Sequence, residues 1–528
     1  MATAPPVKDS DDITGAFGTI SRHDTGSRRG ARARLLTLLA ILGPGIIVMV
    51  GDNDAGGVST YAQAGQDFGL SLLWTLPLLI PVLIVNQEMV VRLGAVTGVG
   101  YARLIRERYG RAWGLVSVST LFVLNFLTIA TEFIGVNLAL SYFNVSQYLS
   151  VPIAAATLIA MTTTGSFRRW ERFMFLFIFA NLLIIPLAIL SHPPAGQAVQ
   201  HLVIPSIRGG VSSNAVLLII AIVGTTVAPW QLFFQQSNII DKKITPRWIN
   251  YERVDTIFGS FVAVFIAVLL MTAVAAAFMG TALFGHYTNA LGVAKGLEIH
   301  VGRWAGAFFA IILLNASVIG AAAVTLASTY AFGDVSRTNL SLNKGWREAK
   351  GFYGGFAALV VMAAGLVLVP GAPLGLITTS VQALAGLLLP LATVFLLLLC
   401  NDPQVLGPWV NRPWLNIVAT VIVSTLVVLS LILMVTTVFT HVDVVVLISW
   451  LGGALGLGLL VAGAIWLLRR QPLPAHPDAS SRTEWRMPPL NLLNRPPLVG
   501  WRRVILAGLA IYLVASVVLL AVKAVQIG

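Results

Sequence analysis

Two carboxylates two positions apart interrupt the first long apolar stretch of the chain. Asp52 and Asp54 lie within the apolar run 35–69, among three glycines. An aspartate at the centre of a bilayer costs roughly 2.5–3.5 kcal/mol, so this pair needs compensation. Glycine weakens a helix and leaves backbone carbonyls without partners. Carboxylates and free carbonyls on an unwound segment suit a cation site within a membrane; a simple kink with the acids facing polar helices is the plainer alternative.

Composition predicts an all-α polytopic membrane protein. Of the 528 residues, 57% are hydrophobic and only 10% are charged, and mean hydropathy is +0.85. Repeated apolar runs of about 20 residues are typical of membrane-spanning helices. The single cysteine, Cys400, cannot form an internal disulfide. The net charge of +13 could indicate binding to nucleic acid, but the placement of the basic residues favours a protein embedded in a lipid bilayer.

The hydropathy pattern predicts thirteen spans with a cytoplasmic N-terminus. All lysines and arginines except Arg208, Lys295, Arg303 and Lys523 then fall on the cytoplasmic side. We expect a multi-pass protein of a bacterial cytoplasmic membrane. The predicted spans are 35–69, 70–94, 113–142, 148–166, 173–191, 213–238, 256–285, 302–333, 353–371, 374–400, 415–440, 443–468 and 503–526.

These spans divide the chain into successive regions. Residues 1–34 contain no apolar signal segment, and we expect a disordered cytoplasmic tail whose basic end meets anionic lipid. The expected regions after it are a first repeat at 35–191, a second repeat at 213–400, two spans at 415–468, a cytoplasmic linker at 469–502 and a last helix at 503–528. The linker is expected to be mostly irregular, with an interfacial turn near Trp485.

A second break is predicted in the sixth span, at Ala228-Pro229. Proline deep in a helix removes a backbone hydrogen bond and clashes with the preceding turn. Spans one and six each begin a block of five spans. Because five is an odd number of membrane crossings, the two blocks enter the membrane from opposite sides and have opposite topology. Paired broken helices in an inverted repeat are typical of secondary transporters. Taken alone, the proline could equally be an ordinary kink.

The motifs around the first break resemble those of the Nramp metal-ion transporters over roughly residues 35–440. The matching segments are Gly43-Pro44-Gly45, Asp54-Ala55-Gly56-Gly57, Gln63-Ala64-Gly65, Phe68-Gly69, Arg92 to Gly98, Val227 to Trp230, and Gln382 with Pro390. The resemblance implies a LeuT-type fold, a 5+5 inverted repeat with broken helices 1 and 6 plus about three further helices. It also implies alternating access to a divalent cation.

Departures from the family pattern indicate a harder ion. Gly57 stands where the family has an asparagine ligand, Ala228 where it has a methionine thioether, and Asp52 where it usually has tyrosine. Loss of sulfur removes a preference for transition metals, and smaller ligands leave room for a partly hydrated ion such as Mg²⁺. The pattern is similar to the Nramp-related magnesium transporters. We therefore expect Mg²⁺ as substrate, with Mn²⁺ as a further candidate.

Only one of the family's four proton-route positions can still ionise here. The matching residues are Glu132, Gly135, Trp230 and Gln235, so the resemblance predicts weak or absent proton coupling. Glu132 is expected to accept hydrogen bonds from ion-bound water, or else to be a structural acid against Thr131 or Asn125.

The remaining predicted ligands are polar groups at or near the breaks. Gln382 is expected to offer its amide oxygen to the ion, the alternative being a helix-to-helix hydrogen bond. Backbone carbonyls of Gly51 and Thr225 are expected to complete the metal site with Asp54, Asp52, Gly57, Ala228 and Glu132. Trp230 is expected either to wall the cavity or simply to fill space. Glu88 is expected to line a vestibule or, more simply, to hydrogen-bond at the end of span two.

Other functions fit the sequence less well. A proton-coupled Mn²⁺/Fe²⁺ importer is the main alternative, and an amino-acid symporter of the same fold would have its carboxylate repelled by Asp52 and Asp54. No nucleophile–base constellation indicates an enzyme, and a membrane scaffold would leave the buried acids unexplained. We expect a monomer without a resident cofactor and without a nucleic-acid partner.

Overall fold

A computed structural model describes residues 12–527, except 23, 25, 27, 164, 337–340, 345, 372, 440–441, 469–478, 495 and 497–499. The described part of the chain is helical apart from one hairpin, β1 (Ile13–Gly15) and β2 (Gly18–Ile20). The helices of the first half are α1 (Ala31–Ile41), α2 (Pro44–Gly51), α3 (Ala55–Phe68), α4 (Thr75–Thr97), α5 (Tyr101–Tyr109), α6 (Arg111–Tyr142), α7 (Gln147–Thr162), α8 (Phe167–Ala180), α9 (Ile184–Leu190) and α10 (Ala195–Val203). Those of the second half are α11 (Ser213–Thr226), α12 (Pro229–Asp241), α13 (Ile249–Phe278), α14 (Ala290–His300), α15 (Arg303–Ser336), α16 (Lys350–Val367), α17 (Leu374–Cys400), α18 (Pro403–Leu406), α19 (Pro413–Val438), α20 (Val444–Leu468), α21 (Ala479–Glu484) and α22 (Trp501–Ile527).

Each of the thirteen predicted spans corresponds to one helix or to helices separated by short breaks, and the first, 35–69, overlaps α1, α2 and α3. Ten helices of the described chain are long and apolar enough to cross a membrane, and the pair α1–α2, bent by 53°, can supply an eleventh. The fourth predicted span is α7, an apolar helix of 16 residues, and the thirteenth is α22, of 27 residues. The predicted all-α polytopic architecture is confirmed.

The two blocks of five occupy the centre, and the later helices lie outside them. The first block is α2–α3, α4, α6, α7 and α8–α9; the second is α11–α12, α13, α15, α16 and α17. In the apolar window of α11–α12, 89% of the residues are buried, against 6% in α20. The broken helix therefore sits in the core, whereas α20 offers nearly all of its surface to lipid.

The connections that follow α4, α12 and α17 gather on one face of the molecule, with the start of the chain. Gln236 donates to the Val99 carbonyl at 2.6 Å, and Arg108 pairs with Asp402 at 2.5 Å. We call this side the N-terminal face. The opposite face carries the ends of α3 and α13, where the Gly285 N–H donates to the Gln66 carbonyl at 3.0 Å.

The expectation of a disordered tail is wrong for the described residues after 11. The β1–β2 hairpin packs on α1 and α8, with Ile13 fully buried. The Ala16 N–H donates to Glu171, and its carbonyl accepts from Arg172 Nε at 3.1 Å. These tertiary contacts order a segment too short to be stable alone. Residues 1–11 lie outside the described chain.

The linker 469–502 is also partly regular where it is described. It contains α21 and a 3₁₀ turn at Leu490–Leu492. Trp485, near which an interfacial turn was expected, packs its ring against Gly407. The linker thus folds back on the N-terminal face, while its portion 469–478 lies outside the described residues.

The Gly-Pro-Gly motif starts the half-helix α2 in a crowded place. A Cβ on Gly43 would lie 2.0 Å from the Glu171 carboxylate, and one on Gly45 would lie 2.7 Å from the Thr256 backbone nitrogen. Gly43 also has φ of 151°, a conformation that favours glycine. Pro44 follows at the first helical position, where a missing N–H costs nothing. Only small residues let α2 begin this close to α8 and α13.

Candidate functional site

The first break separates α2 from α3 at residues 52–54. Asp54 caps α3, and its carboxylate accepts the Gly57 N–H at 2.7 Å. The Ala55 N–H, which would otherwise close a helical turn on the Gly51 carbonyl, donates to Glu132 at 3.0 Å. The predicted freeing of the Gly51 carbonyl from the helical pattern follows from this exchange.

The second break separates α11 from α12 at Val227 and Ala228. Because Pro229 has no N–H, the Thr225 carbonyl lacks its helical donor. The next carbonyl, that of Thr226, accepts from the Gln231 side chain at 3.2 Å. Both helices are therefore interrupted where a backbone carbonyl, that of Gly51 or Thr225, loses its usual helical donor.

The two breaks lie against each other, with α17 beside them. The Tyr61 hydroxyl and the Thr226 hydroxyl are 2.7 Å apart. A Cβ on Gly57 would approach Thr225 Oγ1 to 3.3 Å, and a Cβ on Gly56 would collide with the Gln382 amide. Helices α3, α11 and α17 thus enclose one buried polar region, which we call the break site.

The backbone packs closely around Gly57. A Cβ there would lie 2.6 Å from the Asp52 carbonyl oxygen, so an asparagine would require the backbone to move. Ala228 is buried at the start of α12 and offers only a methyl group. Neither side chain can ligate an ion; their backbone carbonyls are the groups that can.

Glu132 on α6 joins the acids of the break. Its carboxyl group lies next to Asp54, and Gly320 on α15 packs against both side chains. Asn125 and Thr131 have other partners, Ser328 and the Thr128 carbonyl. Two carboxyl groups in contact require a cation or a shared proton to be stable together.

Several buried polar atoms of the break site have no partner within the described chain. They are both carboxylate oxygens of Asp52, Oε1 of Glu132, Oγ1 of Thr225 and Nε2 of Gln382. An unsatisfied buried group costs roughly 1–3 kcal/mol, and more when it is charged. A hydrated cation fits this set, because it supplies positive charge and water donors to the oxygens.

The donor set is built from oxygen. Among the described residues, no three His, Cys, Asp or Glu side chains are grouped as a metal centre. An ion at the break site would therefore draw on Asp52, Asp54, amide and carbonyl oxygens, and water. Hard cations accept such ligands.

The sequence did not indicate that Tyr61, Gln87 and Gln231 belong to the polar network around Thr226. Tyr61 lies one helical turn after Gly57, so helical spacing could have placed it on the same face. Gln87 donates to Gln231 at 3.0 Å, which extends the polar network from α12 to α4. Trp230 lies with its ring edge against Gly51 and walls the site.

A chamber of about 440 Å³ opens on the side of α3 away from the N-terminal face. We call it the Asp67 chamber. Asp67 accepts the Tyr287 N–H at 2.9 Å. At its edge Thr379 donates to Gln63 at 2.9 Å, and Gln382 lies one helical turn further along α17. This hydrogen bond joins α3 to α17 between the chamber and the break site.

A buried ionic network lies between the break site and the N-terminal face. Lys242, at the end of α12, donates to Glu171 at 2.7 Å and to the carbonyls of Ile41 and Leu42 at 2.7 and 3.0 Å. Asp255 accepts the N–H groups of Gly43, Gly45 and Ile46 at 2.7–3.2 Å. These contacts, which we call the α2 anchor, tie the start of α2 to α8, α12 and α13.

Known proteins share this architecture. The chain is 26% identical to a divalent metal cation transporter MntH of Klebsiella pneumoniae over 409 residues, which are 74% of this chain and 92% of that protein. It is 26% identical to the MntH of Burkholderia ambifaria over 402 residues, 72% and 86% of the two chains. The crystal structure of a manganese transporter from Eremococcus coleocola superposes with a TM-score of 0.62 at 22% identity, over 84% of this chain and 97% of that one.

The fold class expected from the broken helices is thereby confirmed as LeuT-type. The family model described as natural resistance-associated macrophage protein-like matches residues 45–436. Its members are membrane transporters and not enzymes. The protein belongs to the Nramp family, as its first-helix motif indicated.

Proposed function

We propose that the protein carries divalent metal cations across the cell membrane by alternating access, with Mg²⁺ as the main substrate and Mn²⁺ as a second one. The observation that carries this proposal is the cluster of unpartnered oxygens at the break site, on Asp52, Glu132 and Thr225. None of the side chains gathered there carries sulfur, so transition metals gain no soft ligand. The curated relatives are named divalent metal cation transporters, which supports the substrate class.

The closed arrangement suits one stage of an alternating-access cycle. Asp52, Asp54 and Gln382 are at most 2% exposed, with the Asp67 chamber on one side and the α2 anchor on the other. The basic loops favour a cytoplasmic N-terminal face, so the Asp67 chamber would open to the outside. An inside-negative potential then favours entry of a divalent cation by about 4.6 kcal/mol per 100 mV. The cycle requires only one copy of the chain, and we propose a monomer.

Proton coupling is proposed to be weak. Gly135 contacts Ser317 and Ala55, and Gln235 lies buried without a hydrogen-bond partner in the described chain. Neither position offers a proton carrier. Glu132 and Asp54 are the exception, because a shared proton between them could be displaced by an entering cation. That contact is the observation favouring the second candidate, a proton-coupled Mn²⁺/Fe²⁺ importer.

Uptake into liposomes with a lumenal pH dye separates these functions. Mg²⁺ should enter without acidifying the lumen, and Asp54→Ala should abolish uptake by removing the charge and the cap of α3. Asp443→Asn is the matched control, because Asp443 also accepts backbone N–H groups at the start of a helix, α20, away from the break site. Mn²⁺ uptake that acidifies the lumen, with no Mg²⁺ entry, would establish the second candidate instead.

A further inference from the structure

A second polar cavity lies at the N-terminal face, apart from the break site. It measures about 300 Å³ and is enclosed by α4, α13, the start of α19 with the residues just before it, and the linker helix α21. Four arginines and one glutamate line it, and we call it the arginine pocket: Glu88, Arg92, Arg253, Arg412 and Arg482.

The arginine pocket has a large excess of positive charge. Glu88 is shared by two arginines, Arg92 at 3.1 Å and Arg253 at 2.5 Å. Arg92 also donates to the Trp409 carbonyl and to Asn411, each at 2.6 Å. The nearly buried Arg92 therefore bonds two neutral oxygens as well as the shared carboxylate, and this one carboxylate faces four guanidinium groups.

The other two arginines of the pocket, Arg412 and Arg482, are available to bind a ligand. Arg482 lies over the Trp409 ring at 4.1 Å, and its buried Nε has no hydrogen-bond partner within the described chain. Burial lowers the pKa of Arg482, and repulsion from Arg412, Arg253 and Arg92 lowers it further. For the Arg412 guanidinium, the described part of the chain provides no hydrogen bond or ion pair. An anion would relieve this repulsion and pair with both side chains.

The wall of the pocket identifies the kind of anion. Ile257 on α13 and Trp414 on α19 line it and are 40% and 58% exposed. Both belong to membrane-spanning helices, so their exposed surfaces face lipid. Tryptophan is enriched at the level of the headgroups. Guanidinium groups therefore meet an apolar surface at the depth where a phospholipid phosphate joins its acyl chains.

We propose that the arginine pocket binds the phosphate of an anionic phospholipid from the leaflet at the N-terminal face. Basic pockets between membrane helices bind such headgroups, and planar guanidinium groups suit a phosphate. The bound lipid would link α4, α13 and α19 to the folded part of the linker. This proposal is independent of which cation the protein transports.

Lipid binding to the purified full-length protein tests the proposal. Native mass spectrometry and the unfolding temperature are measured with phosphatidylglycerol, with phosphatidylcholine of the same acyl chains, and with inorganic phosphate. We expect retention and stabilisation by phosphatidylglycerol alone. The double variant Arg412→Gln/Arg482→Gln spares the Glu88 pairs and should bind it about 25-fold more weakly, or about fivefold per arginine.

The matched control is Arg111→Gln, an exposed arginine at the start of α6 on the same face. It should bind phosphatidylglycerol like the unmodified protein. Equal effects of phosphatidylcholine, or a double variant that matches the control, would overturn the proposal. Stabilisation by inorganic phosphate at the same concentrations would identify a soluble anion as the ligand and also overturn it. The comparison among lipids uses the unmodified protein, so it stands even if the double variant fails to fold.

Discussion

At the scale of single residues, Asp54 combines a structural and a chemical role. Its carboxylate caps α3 through Gly57 and lies next to Glu132. Both acids could be identified as functional candidates from the sequence, because a carboxylate in an apolar membrane helix is costly and therefore rare. The surroundings of Gly57 could not be predicted, because the position of the nearby Asp52 carbonyl depends on the backbone path through the break. Sequence identified the acids, and the backbone path determined which neighbours they have.

Ala228 tests whether the missing thioether sets ion preference. Ala228→Met should raise transport of Mn²⁺ relative to Mg²⁺ by about tenfold, equal to about 1.4 kcal/mol, because a soft ligand favours the transition ion. Competition between the two ions in liposomes measures the ratio. Val227→Met adds the same side chain one position earlier and serves as control. An unchanged ratio in Ala228→Met would mean that this side chain does not face the ion.

At the scale of elements, the half-helix α2 is held by charges that sequence did not reveal. Lys242 follows the predicted sixth span and looked like one of many cytoplasmic lysines, yet its amine is fully buried. Glu171 was likewise hidden among the arginines at the start of α8. Because these residues lie far apart in sequence, only the packing of α8, α12 and the hairpin reveals their pairing. The order in the hairpin was missed for the same reason.

Weakening the α2 anchor should make the backbone of α2 open more often. Lys242→Gln leaves Glu171 as an unpaired buried charge, which typically costs roughly 3–5 kcal/mol. We expect faster hydrogen exchange in residues 43–51, measured by mass spectrometry. The double variant Lys242→Gln/Glu171→Gln removes both charges and should recover part of the protection.

Lys350→Gln, at an exposed position on the same face, is the control for a general effect of losing a lysine. If Lys242→Gln exchanges no faster than this control, the ion pair does not hold α2 in place.

The Asp67 chamber should speed the capture of cations. Asp67→Asn removes a negative charge from a concave entrance, and such charges raise the rate of association. Uptake at low cation concentration should fall about threefold, while the maximal rate stays unchanged and the effect shrinks at high salt. Asp443→Asn removes an acid on the same face outside the chamber. A loss of maximal rate in Asp67→Asn alone would instead assign Asp67 to the transport cycle itself.

At the scale of the whole molecule, hydropathy and charge placement predicted the helices, because lipid requires long apolar segments. They could not predict the depth of each helix within the bundle. The 89% burial of α11–α12 and the 6% burial of α20 arise in segments of similar hydropathy. The inverted repeat was visible in the paired breaks, whereas the fold of the linker against Gly407 depended on tertiary contacts.

The complete transport cycle should respond to membrane potential. Moving a divalent cation alone gains about 4.6 kcal/mol per 100 mV, so an inside-negative potential of about 60 mV should support roughly 100-fold accumulation of Mg²⁺. Liposomes clamped with potassium and valinomycin allow the final ratio to be measured at several potentials, with equal pH on both sides. The Asp54→Ala variant gives the background. Accumulation that follows an imposed pH gradient at zero potential would show that protons drive transport, because an uncoupled carrier has no way to use that gradient.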